Sequence, residues 1–278
     1  MIVKAINRGG AAAATWLCRY RGVALVDALE VAVDKFHRKL DNVDFNMERN
    51  GEARVLNALR ALEPRVVFDV GAHVGHWSTL VSTLYPACQV HAFEVVPATF
   101  ARFVANTAGI PTIVANRVGL SDEAGEISMN VSANTSDSTA CKIPAMKCHD
   151  SYYGEVVIGH AIKGTTYVEE RGIERIDFLK IDVEGMDLKV IRGFEERLDV
   201  VRAIQFEYGI FNIGSHDLLS DFCSYLNARG FVVGKIFPRH VAWFDYHFTK
   251  ELFHGGNFLA VRSDQTALIA ALGTRGAV

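Results

Sequence analysis

The stretch VVFDVGAHVGHW, residues 66–77, joins an apolar run to two glycines and the start of a helical pattern. The run predicts a buried strand that ends near Asp69. Gly71 and Gly75 then let the backbone turn tightly and approach a ligand, because a residue without a Cβ adopts positive φ at little cost. A helix predicted over residues 77–84 directs its N-terminus at the same crevice. This succession of strand, turn and helix is typical of a nucleotide-binding α/β fold.

Further runs of β-branched and aromatic residues follow along the chain, separated by segments with helical periodicity. The predicted strands are VVFDV (66–70), QVHAFE (89–94), TIVANRV (112–118), FLKIDV (178–183), AIQFEY (203–208), FVVGKIF (231–237) and NFLAV (257–261). Strands that alternate with helices predict βαβ units and a mainly parallel sheet. The predicted fold class is therefore α/β.

The same patterns suggest how the chain is divided. Residues 1–62 carry apolar side chains at helical spacing and predict an N-terminal helical extension. The α/β domain is predicted over residues 63–265, and residues 266–278 are predicted to form a C-terminal tail. From about 119 to 171 the alternation breaks, with the β-like runs EISMNV and VVIGHAI on either side of a polar stretch. This segment predicts a hairpin-like insertion with a mobile loop.

Composition and charge exclude several classes of protein. Half of the 278 residues are apolar, so the chain can bury a sizeable core. A formal net charge of -3 and a pI near 6.4 lack the basic excess that a nucleic-acid partner requires. Arg19 and Arg21 end the N-terminal apolar segment far short of the ~20 residues that a membrane span needs. We therefore expect neither a membrane span nor a cleaved signal.

The cysteines indicate the redox compartment. They are odd in number and contain no C-x-x-C pair: Cys18, Cys88, Cys141, Cys148 and Cys223. This pattern argues against both a disulfide framework and a zinc knuckle. It favours a reducing compartment, and we expect the cytoplasm.

Two acidic residues indicate which nucleoside the crevice binds. Glu94 ends the second predicted strand, 25 residues after Asp69, where a carboxylate can accept hydrogen bonds from both ribose hydroxyls. Asp69 begins a D-x-G-x-x-x-G pattern, which differs from the G-x-G-x-x-G of dinucleotide-binding folds. A carboxylate there repels a pyrophosphate but suits the sulfonium and α-ammonium of S-adenosylmethionine, through direct or water-mediated contact. The pattern therefore favours S-adenosylmethionine.

A set of motifs between about residues 50 and 262 is specific in combination. They are NGEARVL, VVFDVGAHVG, HAFEVVP, NRVGLSDEAGEI, FLKIDVEGMDLKVIRG and NFLAV. In these motifs the sequence resembles the FkbM family of class I S-adenosylmethionine-dependent methyltransferases. The resemblance implies a Rossmann-like, seven-stranded, mainly parallel sheet flanked by helices. It also implies S-adenosylmethionine as methyl donor and O-methylation of a hydroxyl on a sugar, a glycan or a secondary metabolite.

The resemblance further implies which residues contact the cofactor. They are Asp69, Gly71, Gly75 and Glu94, with Ser121 and Asp122 near the adenine. His73 departs from the family pattern, which usually shows asparagine in DVGAN. An imidazole is bulkier than an amide and can carry charge, so we expect His73 beside the methionine part of the cofactor with an altered contact.

The run FLKIDVEG, residues 178–185, supplies the expected catalytic carboxylates. Asp182 follows the strand that in class I methyltransferases lies beside the transferred methyl group, so we expect it to face the reaction. Asp182 and Glu184 would share a face if the strand included both, but Gly185 indicates that the chain is already turning at Glu184. We expect Asp182 to hold the substrate or the cofactor's ammonium. Glu184 is expected to position the acceptor hydroxyl or to cap the following helix.

Two routes can activate the acceptor hydroxyl. An alcohol has a pKa far above neutral, so methyl transfer gains from a base or a metal that removes its proton. The candidate bases are Asp182 and the histidines of the C-terminal loops, His216, His240 and His254. The metal route, which we do not expect, would join Asp182 to Glu207 around Mg²⁺.

The acceptor is expected to be a small molecule or a saccharide. Its pocket is predicted from the helical extension, the insertion and the loop from Tyr208 to His216, with both of these residues as contacts. The insertion and the N-terminal helices are also candidates for a homodimer contact. Two other functions stay open. A nicotinamide oxidoreductase is disfavoured by Asp69 and by the missing G-x-G-x-x-G. A non-catalytic domain would be expected to have lost the acids at 69, 94 and 182.

Overall fold

The computed structural model describes residues 2–132, 138–141, 143 and 153–273, with side chains from residue 9 onward. The chain packs as two compact units, Met1–Val43 and Asp44–Val278. The first unit contains helices α1 (Ile2–Leu17) and α2 (Ala24–Leu40). None of the helices in the described part of the chain combines the length and the apolar character that a membrane crossing requires.

The second unit alternates strands with helices. Its helices are α3 (Met47–Asn50), α4 (Glu52–Ala58), α5 (His76–Leu84), α6 (Pro97–Thr107), α7 (Gly164–Glu170), α8 (Asp187–Arg192), α9 (Asn212–Ser215), α10 (Leu219–Asn227) and α11 (Thr266–Leu272). Its strands are β1 (Val66–Val70), β2 (Gln89–Phe93), β3 (Ile113–Asn116), β4 (Gly119–Ser121), β5 (Gly125–Ser132), β6 (Tyr153–Lys163), β7 (Phe178–Ile181), β8 (Ala203–Glu207), β9 (Phe231–Phe237), β10 (His240–Trp243) and β11 (Asn257–Arg262). The predicted α/β class is confirmed.

The main sheet has the strand order β10-β9-β11-β8-β7-β1-β2-β3. Strands β1, β2, β3, β7 and β8 run parallel, whereas β11 lies antiparallel between β8 and β9. All seven strands expected from the sequence are present. The hairpin strand β10 adds an eighth at the edge, which the sequence had not predicted. The chain moves outward from β1 to β3 and then crosses back to β7, so a crevice is expected beside the carboxyl ends of β1 and β7.

Apolar side chains cover both faces of this sheet. Phe68 and Leu179 are buried in one core cluster, while Val67, Phe178 and Leu259 are buried in another that includes side chains of α4 and α11. Successive residues of a strand point to opposite faces, so a sheet with helices on both sides needs nearly continuous apolar runs. This requirement explains the uninterrupted apolar strands of the sequence.

The predicted insertion forms a smaller sheet with the order β4-β6-β5. Strands β5 and β6 pair antiparallel, from Gly125 opposite Ala161 to Ser132 opposite Tyr153, which confirms the hairpin-like arrangement. The mobile loop expected between them falls largely on residues 133–137 and 144–152, which lie outside the described residues.

The compact units divide the chain differently from the sequence pattern. The boundary lies after Val43 rather than after residue 62, because Leu59 is fully buried in a core cluster of the α/β unit. The expected C-terminal tail likewise contains helix α11, whose Leu268 and Leu272 are buried in the same cluster. In both places an apolar helical face covers the sheet, and sequence periodicity alone does not reveal which surface such a face covers.

Candidate active site

A cavity of about 700 Å³, its open mouth included, lies at the carboxyl ends of β1, β2 and β7. It is lined by Val70, Gly71, His73, Phe93, Glu94, Val95, Val96, Gly119, Leu120, Ser121, Ile127, Met129, Ser138, Ala140, Asp182, Val183, Glu184 and Met186. Six residues that the sequence singled out are among them: Gly71, His73, Glu94, Ser121, Asp182 and Glu184. The cavity therefore brings several of the predicted cofactor residues together with the predicted catalytic carboxylates.

The turn after β1 brings β1 and β7 into close contact beside the cavity. Gly71 has a φ of +82°, and a Cβ added there would stand 1.9 Å from the backbone oxygen of Asp182. Its N–H donates to the carbonyl of Phe93 at 3.0 Å, which ties the turn to β2 as well. Only glycine fits this position. Gly75 does not line the cavity. A side chain there would instead collide with Thr107 and Phe103 of helix α6.

Glu94 presents a carboxylate to the cavity. Its Oε2 accepts the backbone N–H of His73 at 3.0 Å, and its Oε1 accepts the backbone N–H of Val96 at 2.8 Å. Burial raises the pKa of Glu94 to about 7, although the two backbone hydrogen bonds oppose this rise. Each carboxylate oxygen has two lone pairs, so both can still accept a hydrogen bond from a ligand hydroxyl.

Asp69 is fully buried and does not line the cavity. The contact with the cofactor that the sequence suggested, direct or through water, stays a prediction. Its Oδ2 accepts the hydroxyl of Ser78 at 2.7 Å, and its Oδ1 lies 3.6 Å from Nζ of Lys180. Lys180 also donates to Oδ2 of Asp182 at 3.0 Å. Burial alone would lower the pKa of Lys180, but the carboxylates of Asp182 and Asp69 outweigh burial and raise it, so the ammonium stays charged. No sequence pattern indicated a role for Lys180, although it lies within FLKIDVEG.

The carboxylates of Asp182, Glu184 and Glu207 converge where β7 and β8 end. One oxygen of each lies within 4.8 Å of the others. Glu184 has a φ of +51°, so the chain has already turned there, as Gly185 indicated. Burial, together with the charges of Asp182 and Glu184, raises the pKa of Glu207 well above its ordinary value. Burial also raises the pKa of Asp187, which accepts the N–H of Glu207, to about 7. Such a cluster can accept protons or hold a cation.

The insertion closes one side of the cavity with residues that no sequence motif had indicated. Ile127 and Met129 of β5 line the cavity, as do the residues on either side of Thr139. The Thr139 hydroxyl donates to the carbonyl of Glu184 at 2.6 Å, so this segment is tied to the turn that carries the acid cluster. Together with Leu120, these side chains form an apolar wall that suits a flat aromatic ring. The sequence indicated EISMNV as a β-like run but did not reveal that its apolar side chains line this cavity.

Three other predicted site residues lie outside the lining. Asp122 accepts the hydroxyl of Ser121 at 3.1 Å beside the cavity. Tyr208 is buried, and its hydroxyl donates to Glu251 at 2.5 Å. The same Glu251 carboxylate accepts backbone N–H groups at the start of α10, so Tyr208 helps to fix a helix end. His216 is exposed at the end of α9. The structure therefore places neither Tyr208 nor His216 in this cavity.

Comparison with known proteins places the cavity in one family. The family model described as the methyltransferase FkbM domain matches residues 69–233, and every residue that lines the cavity lies inside that range. Hexuronic acid methyltransferase AglP of Haloferax volcanii is 32% identical over 160 residues, which are 56% of this chain and 62% of that protein. The 31-O-demethyl-FK506 methyltransferase FkbM of Streptomyces tacrolimicus is 32% identical over 157 residues, which are 47% of this chain and 60% of that protein.

The chain thus spans about three fifths of the length of these two relatives. Among solved structures, a methyltransferase FkbM from Methylobacillus flagellatus KT aligns with 72% of this chain and 44% of that chain. The sequence identity is 13% and the TM-score is 0.44.

Proposed function

The chain belongs to the FkbM methyltransferase family, and from this premise we propose that it is an S-adenosylmethionine-dependent O-methyltransferase. The proposed acceptor is a hydroxyl on a sugar, a glycan or a secondary metabolite. Two relatives are named for such acceptors, a hexuronic acid and 31-O-demethyl-FK506. The observation that carries the proposal is that Glu94 lines the same cavity as Asp182 and Glu184. Groups suited to a nucleoside and groups suited to a reacting hydroxyl thus face one space.

The lining of the cavity fits the proposed cofactor. When bound, S-adenosylmethionine supplies a methyl group on a positively charged sulfonium. Glu94 would accept hydrogen bonds from the ribose hydroxyls, and the apolar wall formed by Leu120 and Met129 would hold the adenine beside Ser121. Asp182 adds a negative charge that favours a cationic ligand over an anionic pyrophosphate.

Asp182 and Glu184 would act on the acceptor. A carboxylate within hydrogen-bond reach of an alcohol can take its proton as the new bond forms, or can orient the hydroxyl for transfer. Oδ2 of Asp182 is bound to Lys180, which leaves Oδ1 for the acceptor. The backbone of Glu184 is held by Thr139, so the turn that carries its side chain is braced. We assign the base or substrate anchor to Asp182 and the positioning of the acceptor hydroxyl to Glu184.

A divalent cation is the alternative to a carboxylate base. Asp182, Glu184 and Glu207 offer hard oxygen ligands within 4.8 Å of one another, a set that suits Mg²⁺. The ammonium of Lys180 already balances part of this negative charge and disfavours a second cation on Asp182. We therefore propose the carboxylate route first and the metal route second.

Turnover assays on Asp182→Asn, Glu184→Gln and Glu207→Gln, with and without a chelator, separate the two routes. The acceptors are a panel of glycosides and polyketide alcohols. On the carboxylate route Asp182→Asn lowers turnover by roughly 100-fold or more, and the chelator has no effect. On the metal route chelation abolishes activity, added Mg²⁺ restores it, and Glu207→Gln imitates the chelator. Glu184→Gln should spare cofactor binding on either route.

The exposed carboxylate of Glu126 on β5 provides a matched control. Glu126→Gln should leave turnover unchanged in all conditions. Full activity of Asp182→Asn would refute both routes.

The alternative functions require a binding experiment that does not depend on the acceptor. Parallel calorimetric titrations with S-adenosylmethionine and NAD should show binding of the former alone. Binding of NAD alone would indicate an oxidoreductase, and binding of neither would indicate a domain that retained only the fold. A homodimer and a cytoplasmic location, the latter inferred from the cysteine pattern, remain predictions.

A further inference from the structure

A lysine in the middle of a buried sheet requires a physical reason. Lys180 lies on the central strand β7 and is 6% exposed. Its Nζ is 3.0 Å from Oδ2 of Asp182 and 3.6 Å from Oδ1 of Asp69, and it lies 5.8 Å from the ring centre of Trp77. A buried charge is costly even when it is paired, and an apolar side chain of similar volume is often at least as stabilising. Packing alone therefore does not explain a lysine here.

The surroundings of Lys180 join the core to the cavity. The strand register places Asp69, Lys180 and Gln205 side by side on β1, β7 and β8, so their side chains share one face of the sheet. Nε2 of Gln205 donates to Oε2 of Glu52 at 2.7 Å. Glu52 belongs to the motif NGEARVL and brings a third carboxylate to the neighbourhood of Lys180. Among the carboxylates of Asp69, Glu52 and Asp182, that of Asp182 lines the cavity and the other two do not.

We propose that Lys180 is a positioning residue for methyl transfer. Its ammonium lies between two carboxylates: the buried one of Asp69 fixes the ammonium, and the ammonium in turn holds that of Asp182. The inference rests on the proposed function, in which Asp182 acts on the acceptor hydroxyl. The side chain of Asp182 is 36% exposed, whereas those of Lys180 and Asp69 are 7% and 0% exposed. An exposed carboxylate without this anchor would sample several rotamers. The anchor thus gives a solvent-facing catalytic group one orientation.

A double-mutant cycle on turnover tests this role. Lys180→Met should lower kcat by at least about tenfold while the affinity for S-adenosylhomocysteine stays within about threefold of the wild type. Asp182→Asn should lower kcat by roughly 100-fold or more. The combined variant should be no slower than Asp182→Asn, within about threefold, because Lys180 acts through Asp182. Losses in kcat that multiply in the combined variant instead would show that Lys180 does not act through Asp182 and would overturn the inference.

The surface supplies a matched control. Lys163 forms a pair with Glu195 at 2.6 Å, and both side chains are more than a third exposed. Lys163→Met removes a lysine of the same chemistry and should leave kcat unchanged. An equal loss in Lys163→Met and Lys180→Met would count against a specific role for Lys180.

A second variant covers the case in which Lys180→Met does not fold, since it leaves Asp69 buried without its cation. Lys180→Met combined with Asp69→Asn keeps the buried charge balanced, and Asp69→Asn alone is its reference.

If the wild type does not bind S-adenosylhomocysteine, the proposed function fails. If it binds this ligand but methylates no acceptor, crystal structures of the two variants decide. The inference is supported if the Asp182 carboxylate is displaced in Lys180→Met/Asp69→Asn but not in Asp69→Asn. It is overturned if the carboxylate has the same position in both variants.

Discussion

Glu94 should make cofactor binding depend on pH in a direction that the structure specifies. Burial raises its pKa to about 7 from an ordinary value of 4.5, so the carboxyl group of the free protein is half protonated near neutral pH. Ligand hydroxyls bind best to an ionised carboxylate, so below pH 7 the ligand must displace a proton. Glu94 by itself should therefore make the affinity for S-adenosylhomocysteine about tenfold weaker at pH 6 than at pH 8.

The same shift changes the stability of the free protein. A rise of the pKa from 4.5 to about 7 corresponds to roughly 3.5 kcal/mol, at about 1.4 kcal/mol per unit. Because the pKa is higher in the folded than in the unfolded chain, this contribution is fully present below pH 4.5 and is lost as the pH rises to about 7. Asp187, whose pKa burial raises to about 7, adds to the same trend. The free protein should therefore unfold at a lower temperature at pH 8 than at pH 5.

Calorimetry at pH 6, 7 and 8 on the wild type, Glu94→Gln and Glu123→Gln measures the binding effect. Glu94→Gln should bind S-adenosylhomocysteine roughly 10- to 150-fold more weakly at pH 8, because loss of the charge-assisted bonds costs on the order of 1.5 to 3 kcal/mol. It should also lose the pH dependence. Glu123 is exposed, so its variant should behave as the wild type does. An affinity that is flat from pH 6 to 8 in His73→Asn, where no imidazole can offset Glu94, or an unchanged affinity in Glu94→Gln, would refute this reasoning.

Three further substitutions test separate parts of the site. If a protonated His73 contacts the cofactor's carboxylate, it should strengthen binding as the pH falls from about 8 to 6, a trend opposite to that of Glu94. Calorimetry on His73→Asn should show that this contribution is lost. In Gly71→Ala the new Cβ would stand 1.9 Å from a backbone oxygen. This substitution should therefore abolish cofactor binding and lower the free energy of unfolding, measured by urea titration, by several kcal/mol. Tyr208→Phe should cost about 1 to 2 kcal/mol of unfolding free energy in the same titration and leave KM for the acceptor unchanged. A raised KM would return Tyr208 to the acceptor site.

Local sequence determined the α/β class and the position of the cavity. Strands that are covered on both faces must be apolar throughout, so the strand-forming runs could be recognised without knowing their partners. The positive φ at Gly71 and the turn at Gly185 are also local requirements, because each concerns the backbone of a few adjacent residues. Glu94 and Asp182 could be placed at the cavity because the carboxyl ends of parallel strands share one edge of the sheet.

Tertiary structure alone decided which of these side chains face the cavity and what holds them. Asp69 turned out to be buried against Lys180 on the neighbouring strand, a pairing set by the register of β1 and β7. Tyr208 bonds Glu251, and Thr139 bonds the turn at Glu184, in each case across more than 40 positions of sequence. Neither hydropathy nor spacing encodes such contacts. They depend on how separate elements pack, and packing is settled only when the whole chain has excluded water from its core.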